Sequence, residues 1–193
     1  MPADRVDLAR RLEAATAADT SRGLNYNTLF AFVAERLRPA TAREVDVLGR
    51  GSRVDFFSYP VAEYLRTTWN AVDRLEGALG GVEAVFEAIG QRTVTSFLDT
   101  MVGRTVFALA GRDPRRIISQ GLGGYRSAVG YGHRSVEWVS PRKGRMIFTR
   151  DFMPVAFHRG AILAALQASE AKAPRVEGRE TGFLDSVYEF EWT

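Results

Sequence analysis

The side chains best suited to proton transfer in this chain are its two histidines, His133 and His158, which stand 25 residues apart. That separation matches no metal-ligand spacing, and no triplet of acids accompanies either one. Each reads as a structural or surface histidine, with His158 on a helical face four residues before Ile162. Ser127 and Ser135 lie near His133, yet neither sits in a Gly-x-Ser-x-Gly elbow. Gly121-Leu-Gly-Gly124 and Gly130-Tyr-Gly132 lack the Lys and Gly spacing of phosphate-binding loops and read as turns. Glu137 on a strand and Asp151 just after one read as carboxylates that are solvated or engaged with neighbouring arginines. The absence of cysteine excludes disulfides, thiolate zinc sites, iron–sulfur clusters and a cysteine nucleophile. The expectation is therefore no catalytic residue and no metal site.

Binding is the alternative to chemistry, and two residue sets could support it. Tyr64, Trp69, Phe97, Met101, Phe107, Trp138, Phe148 and Phe157 are large apolar side chains spread over helical and strand-like segments. Where helices meet a sheet, such residues either fill a core or line an apolar ligand pocket. The second set is cationic. From Arg112 to Arg159 the chain has ten Lys or Arg against three acids, a local charge of +7 in a protein of net +3. Arg134, Arg142, Lys143 and Arg145 cluster around one hairpin and form a candidate anion patch. No nucleic-acid-binding motif accompanies them, so nucleic acid ranks behind a protein or small-molecule partner.

The elements that must position these residues are legible in part. A chain of 193 residues with 46% hydrophobic and 25% charged residues is of ordinary globular composition and reads as a single domain over 1–193. The start is charged where a secretory leader would be apolar, and no run is apolar enough to cross a bilayer, so the expected location is cytoplasmic.

Over 1–125 the pattern is helical. A short helix carries Val6, Leu8 and Leu12. The next is capped by Asn25 or Asn27 and ends before Pro39, and a further one runs from Thr41 to Leu48. The clearest amphipathic helix starts at Ser58-Tyr-Pro60 and buries Val61, Tyr64, Leu65, Thr68, Trp69, Val72 and Leu75. A short helix around Val85, Phe86 and Ile89 precedes a longer one from Val94 to Leu109. That helix is apolar over most of its circumference, so it is either central in the core or covered by a second subunit. A last helix begins at Asp113-Pro114 and stops at Gly121–Gly124.

Over 131–193 the reading is hairpin, helix, hairpin. Arg134–Val139 and Arg145–Arg150 flank the turn Ser140-Pro-Arg-Lys-Gly144, a helix follows Pro154, and Leu184, Tyr188, Phe190 and Trp192 share one strand face. The fold class expected is α+β: an N-terminal helical bundle packed on a C-terminal antiparallel sheet of ββαββ order.

Phe157-His-Arg-Gly160, Arg175-Val-Glu-Gly178 and Ser186-Val-Tyr-Glu-Phe-Glu-Trp192 resemble the closing helix and strands of one superfold. It is shared by haem-NO-binding domains, 4-vinyl-reductase-type ligand-binding domains and small subunits of transport protein particles. Nearly the whole chain is similar to an uncharacterised, myxobacteria-restricted domain family. The blocks that carry this likeness are Asp55-Phe-Phe-Ser-Tyr-Pro-Val-Ala-Glu-Tyr-Leu65, Val102-Gly-Arg-Thr105, Ala110-Gly-Arg-Asp-Pro-Arg115, Ser135-Val-Glu-Trp138 and Arg150-Asp-Phe-Met-Pro154.

The first resemblance raises haem. Haem-NO-binding domains take their axial histidine from a helix before the sheet, whereas no histidine precedes His133 here. Their Tyr-x-Ser-x-Arg signature is met only in part by Tyr125-Arg-Ser127-Ala-Val129. No haem, and no other cofactor, is expected.

The function expected is thus a non-catalytic regulatory, scaffold or small-apolar-ligand-binding domain, sensor-like, signalling in character and homodimeric. Anion or nucleic-acid binding through the Arg112–Arg159 band is the first alternative. An enzyme of unknown reaction, drawing on Tyr125, His133 or Glu137, is the second.

Overall fold

The computed structural model describes residues 3–193. The chain divides into two compact units, residues 1–85 with 128–131, and residues 86–127 with 132–193. The division does not fall where helices give way to strands.

In the first unit, α1 (Ala3–Ala14) leads to the short strand β1 (Thr20–Arg22), then α2 (Gly23–Arg36), α3 (Pro39–Glu44), strand β2 (Ser58–Pro60) and α4 (Val61–Leu79). β1 and β2 pair antiparallel. α4 is the amphipathic helix expected from its spacing. It buries Val61, Tyr64, Leu65, Trp69, Val72 and Leu75 and ends at Gly80 in the left-handed conformation (φ 85°), the usual glycine stop.

Three local readings change. Ser58–Pro60, expected as the start of the amphipathic helix, is strand β2, and Pro60 is the N-cap of α4. Neither Asn25 nor Asn27 caps α2, which begins at Gly23; a Cβ there would fall 2.1 Å from the Val54 carbonyl oxygen. Asn25 instead bonds Ser21 and the Ala128 carbonyl, and Asn27 bonds Asp55 and the backbone of Arg53. The helix expected over Thr41–Leu48 is α3, shorter and earlier. The chain after it is held by a buried ion pair, Arg53 Nη2 to Asp46 Oδ1 at 2.8 Å.

The second unit begins within α5 (Val82–Asp99) and continues through α6 (Met101–Ala110), α7 (Pro114–Ala128), β3 (His133–Ser140), β4 (Lys143–Thr149), α8 (Val155–Ala168), β5 (Arg175–Gly182) and β6 (Asp185–Glu191). The α+β class and the ββαββ order are both present, and the four strands form an antiparallel sheet in the order β3-β4-β6-β5.

The short helix expected around Val85, Phe86 and Ile89 and the first part of the one expected from Val94 to Leu109 are a single helix, α5. The break falls instead at Thr100, which turns extended and whose Oγ1 accepts the Gly103 amide at 2.9 Å as a new N-cap. The helix expected to stop at Gly121–Gly124 runs on to Ala128. Those glycines are helical, and Gly124 faces the Phe97 ring.

The core of this unit joins Ile118, Ile162 and Leu166 from helices to Met146, Phe148, Tyr188 and Phe190 from the sheet. Each such burial contributes roughly 1.5–3 kcal/mol. α5 and α8 cross closely, with Arg159 bonded to Glu87 at 2.9 Å. Among the described residues no helix is long and apolar enough to cross a membrane.

Candidate functional site

The residue after the first hairpin of the sheet organises the site. β4 ends at Thr149, and Arg150 takes a left-handed conformation (φ 54°) that turns the chain sharply. The Arg150 amide bonds Asp185 Oδ1 at 2.9 Å and the Asp151 amide bonds the Leu184 carbonyl at 2.8 Å. Asp151 is thereby fixed inside, 2% exposed.

Its carboxylate is surrounded by donors. Oδ1 accepts from the Met153 amide at 3.0 Å, from His158 Nε2 at 2.9 Å and from the Tyr125 hydroxyl at 3.3 Å. Oδ2 accepts from Arg134 Nε at 3.0 Å and from Arg134 Nη2. Burial alone would raise the Asp151 pKa, but the charges and hydrogen bonds of His158 and Arg134 and the Met153 amide outweigh it and hold the group well below the ordinary carboxylate range. An ionised carboxylate only accepts, so His158 Nε2 carries a proton.

Aromatic rings enclose the imidazole. Phe148, Phe157, Tyr125 and Tyr188 have centroids 4.7, 5.1, 5.4 and 5.7 Å from it, all edge to face or nearly so. Arg134 lies over the Tyr125 ring at 4.3 Å. The cluster is a hydrogen-bonded polar patch embedded in apolar surroundings.

Beside this patch is a cavity of about 110 Å³. Thr93 and Val94 of α5, Ile117, Ile118, Gly121, Leu122 and Tyr125 of α7, Met146 and Phe148 of β4, and Phe157, His158, Ala161, Ile162 and Ala165 of α8 line it. The walls are almost wholly apolar, and Tyr125 with His158 supplies a polar end. The α7 contribution follows a helical stripe at 117, 118, 121, 122 and 125. That stripe is visible in the sequence once the glycines are not taken as a stop.

Of the apolar residues singled out on sequence, Phe148 and Phe157 line this cavity. Trp138 packs instead on Phe190 and Trp192 under Arg115, and Phe97 lies against Gly124. Met101, 81% exposed, stands on the outer face of α6, and Phe107 is half-buried on the same helix. Tyr64 and Trp69 belong to the first unit. Tyr64 is buried beside Tyr26, and Trp69 edges a separate hollow of about 270 Å³ with Leu8, Leu12 and Asp73.

Arg134, grouped on sequence with the hairpin-tip cations, is buried and bound to Asp151, because strand alternation turns it inward. Arg142 is exposed, whereas Lys143 faces Glu191 at 3.8 Å and Arg145 faces Glu189 and Glu137 at 3.7 and 3.9 Å. Among the described residues no group of three or more His, Asp or Glu stands together as a metal site.

Comparison with known proteins identifies the family. Residues 14–193 match the family described as a protein of unknown function, DUF2378. The chain belongs to that family. No curated protein matches this DUF2378 chain in sequence. Among solved structures, it is similar to the Fe(II) unliganded H-NOX protein from K. algicida, with a TM-score of 0.68 at 12% identity over 89% of this chain and 96% of that one. It is similar also to the H-NOX domain from Shewanella oneidensis in the Fe(II)CO ligation state, with a TM-score of 0.68 at 15% identity over 89% and 98%. At such identities the DUF2378 chain shares a fold with H-NOX domains, the helical part followed by a C-terminal antiparallel sheet.

Proposed function

We propose that this protein is a non-catalytic, sensor-like domain that holds a small apolar ligand. The observation that carries the reading is the apolar cavity beside the Asp151 cluster. A preformed apolar pocket with a few convergent polar groups is the usual form of a small-molecule site. Its place in an H-NOX-like fold supports a sensing role.

The H-NOX structures are of haem proteins. The residues around this cavity do not fit haem. The cavity is of single-ring size, near the roughly 150 Å³ that accommodates benzene in an engineered core. Its one histidine already commits Nε2 to Asp151. His133, the other histidine, is exposed on β3.

Titration with toluene, followed by methyl NMR, is expected to shift the Ile117, Ile118 and Ile162 resonances saturably. Ala165→Phe, which places a ring in the cavity, is expected to abolish those shifts while far-UV circular dichroism is retained. Hemin is expected to give no stoichiometric Soret band. Toluene shifts that persist in Ala165→Phe would remove the cavity from the reading, and a stoichiometric Soret band would reinstate haem.

A homodimer is the second part of the reading, supported by α6. Met101, Val102 and Leu109 are 81%, 56% and 72% exposed, and with Thr105 and Ala108 they form one apolar stripe. The exposed charges Asp99 and Arg112 lie beyond its opposite ends. Antiparallel pairing of two copies about Thr105 brings the acidic end of one stripe to the basic end of the other, so the occupant is a second copy. Sedimentation velocity is expected to show a dimer that Met101→Glu converts to a folded monomer. A monomeric wild type at micromolar concentration would refute this.

A further inference from the structure

The polar end of the cavity has unequal hydrogen bonds. Tyr125 reaches Asp151 Oδ1 at 3.3 Å, whereas His158 Nε2 and the Met153 amide reach the same oxygen at 2.9 and 3.0 Å. Hydroxyl-to-carboxylate bonds ordinarily run at about 2.5–2.7 Å, so the Tyr125 bond is the weak one. If it is given up, Oδ1 keeps two donors and Oδ2 keeps Arg134.

We propose that the ligand is a neutral molecule about one ring in size with a hydrogen-bond acceptor, and that Tyr125 donates to that acceptor. The proposal rests on the ligand-binding reading above and specifies its chemistry. Size follows from the cavity of about 110 Å³. Neutrality follows from the lining, which contains no Lys or Arg. The nearby Arg134 donates through Nε and Nη2 to Asp151. A carboxylate ligand would therefore lose its water beside another carboxylate, toward which Arg134 and His158 Nε2 already donate. A cationic ligand would meet an Asp151 whose oxygens are already surrounded by donors. A carbonyl, ether or ring nitrogen on an apolar body meets neither obstacle, and the phenol is the donor placed to receive it.

The test is isothermal titration of the full chain with toluene, acetophenone and benzoate at neutral pH, in wild type and in Tyr125→Phe. Acetophenone is expected to bind about three- to tenfold tighter than toluene, the worth of one neutral hydrogen bond. In Tyr125→Phe that ratio is expected to fall to about one, and benzoate is expected to bind most weakly in both proteins. Tyr125→Phe keeps the ring that stacks on Phe148 and lies under Arg134. The carbonyl resonance of bound ¹³C-labelled acetophenone is expected to lie downfield in wild type of its position in Tyr125→Phe, which lacks the donor. Equal affinity for toluene and acetophenone, or a bound carbonyl resonance that is the same in both proteins, overturns the donor assignment and leaves the ligand-binding reading intact. Tightest binding of benzoate overturns neutrality. Saturable binding of none of the three overturns the ligand-binding reading as well.

Discussion

Replacing Asp151 by Asn is expected to destabilise the protein by about 3–5 kcal/mol, read as a lower urea midpoint. Breaking one partner of a buried ion pair leaves the other charge without compensation, and that cost dominates. Arg134 is 7% exposed and directs Nε and Nη2 to the carboxylate, so its guanidinium would be left facing an amide. His158 and the Met153 amide would lose an ionic acceptor in the same step.

The double variant Arg134→Met, Asp151→Asn removes both charges and is expected to be at least 1 kcal/mol more stable than the sum of its single variants predicts. A loss below about 1 kcal/mol in Asp151→Asn would mean that water reaches the cluster.

The pH dependence has a definite sign. Asp151 has a lowered pKa in the folded state, so its contribution is complete above the ordinary carboxylate range and is lost as pH falls toward the folded value. Wild type is therefore expected to lose more stability between neutral and acid pH than Asp151→Asn does. Equal acid dependence in the two proteins would contradict this.

The other large effect concerns the crossing of α5 and α8. A Cβ at Gly90 would lie 1.9 Å from the Phe157 carbonyl oxygen, and one at Gly160 would lie 2.1 Å from the Glu87 carbonyl oxygen. Both obstacles are backbone, so neither can swing aside as a side-chain end would. Glycine to alanine in a helix ordinarily gains up to about 1 kcal/mol. Here the forced separation of two helices outweighs that gain, and Gly90→Ala and Gly160→Ala are each expected to cost about 3 kcal/mol or more.

Gly77 in α4 is the internal control. It is exposed with nothing near its missing Cβ, and Gly77→Ala is expected to stabilise by about 0.5–1 kcal/mol. Thermal and urea unfolding of the three variants decide the matter. A stabilising Gly160→Ala would refute the close crossing of α5 and α8. The crossing also bears on the site, because α8 carries Phe157 and His158 to the cavity.

The sequence–structure relation is clearest at individual elements. α4 was legible because Val61, Leu65, Trp69 and Val72 repeat at helical spacing and Gly80 stops the run. The four-stranded sheet was legible because β4 and β6 alternate and the turn and helix between strands are of ordinary length. β1 and β2, three residues each in a stretch read as helical, were not. The break at Thr100 was not, since the residues on both sides are equally apolar and the cap becomes evident only when Thr100 meets the Gly103 amide. Nor was the helical state of Gly121–Gly124, where three glycines argue locally for a stop. Packing against the sheet overrides that weak preference.

The candidate site was legible only in pieces. Phe148 and Phe157 were singled out for size, but Tyr125, His158, Asp151 and Arg134 were read separately as a motif remnant, a lone histidine, a solvated acid and a surface cation. They lie up to 33 residues apart in the chain, and although pairing of Asp151 with a neighbouring arginine was among the readings, no spacing rule joins all four.

What the sequence by itself determined is the alternation of buried and exposed positions, and with it the α+β class and the ββαββ order of the C-terminal elements along the chain. Periodicity is a property of neighbouring residues, and a linear pattern carries it in full. What only the tertiary structure decided is which polar side chains meet. A left-handed turn at Arg150, a two-glycine helix crossing and an inward-facing Arg134 bring three distant side chains to one carboxylate beside an apolar cavity. Those contacts depend on loop closure and on packing between elements, and neither is written in the local pattern.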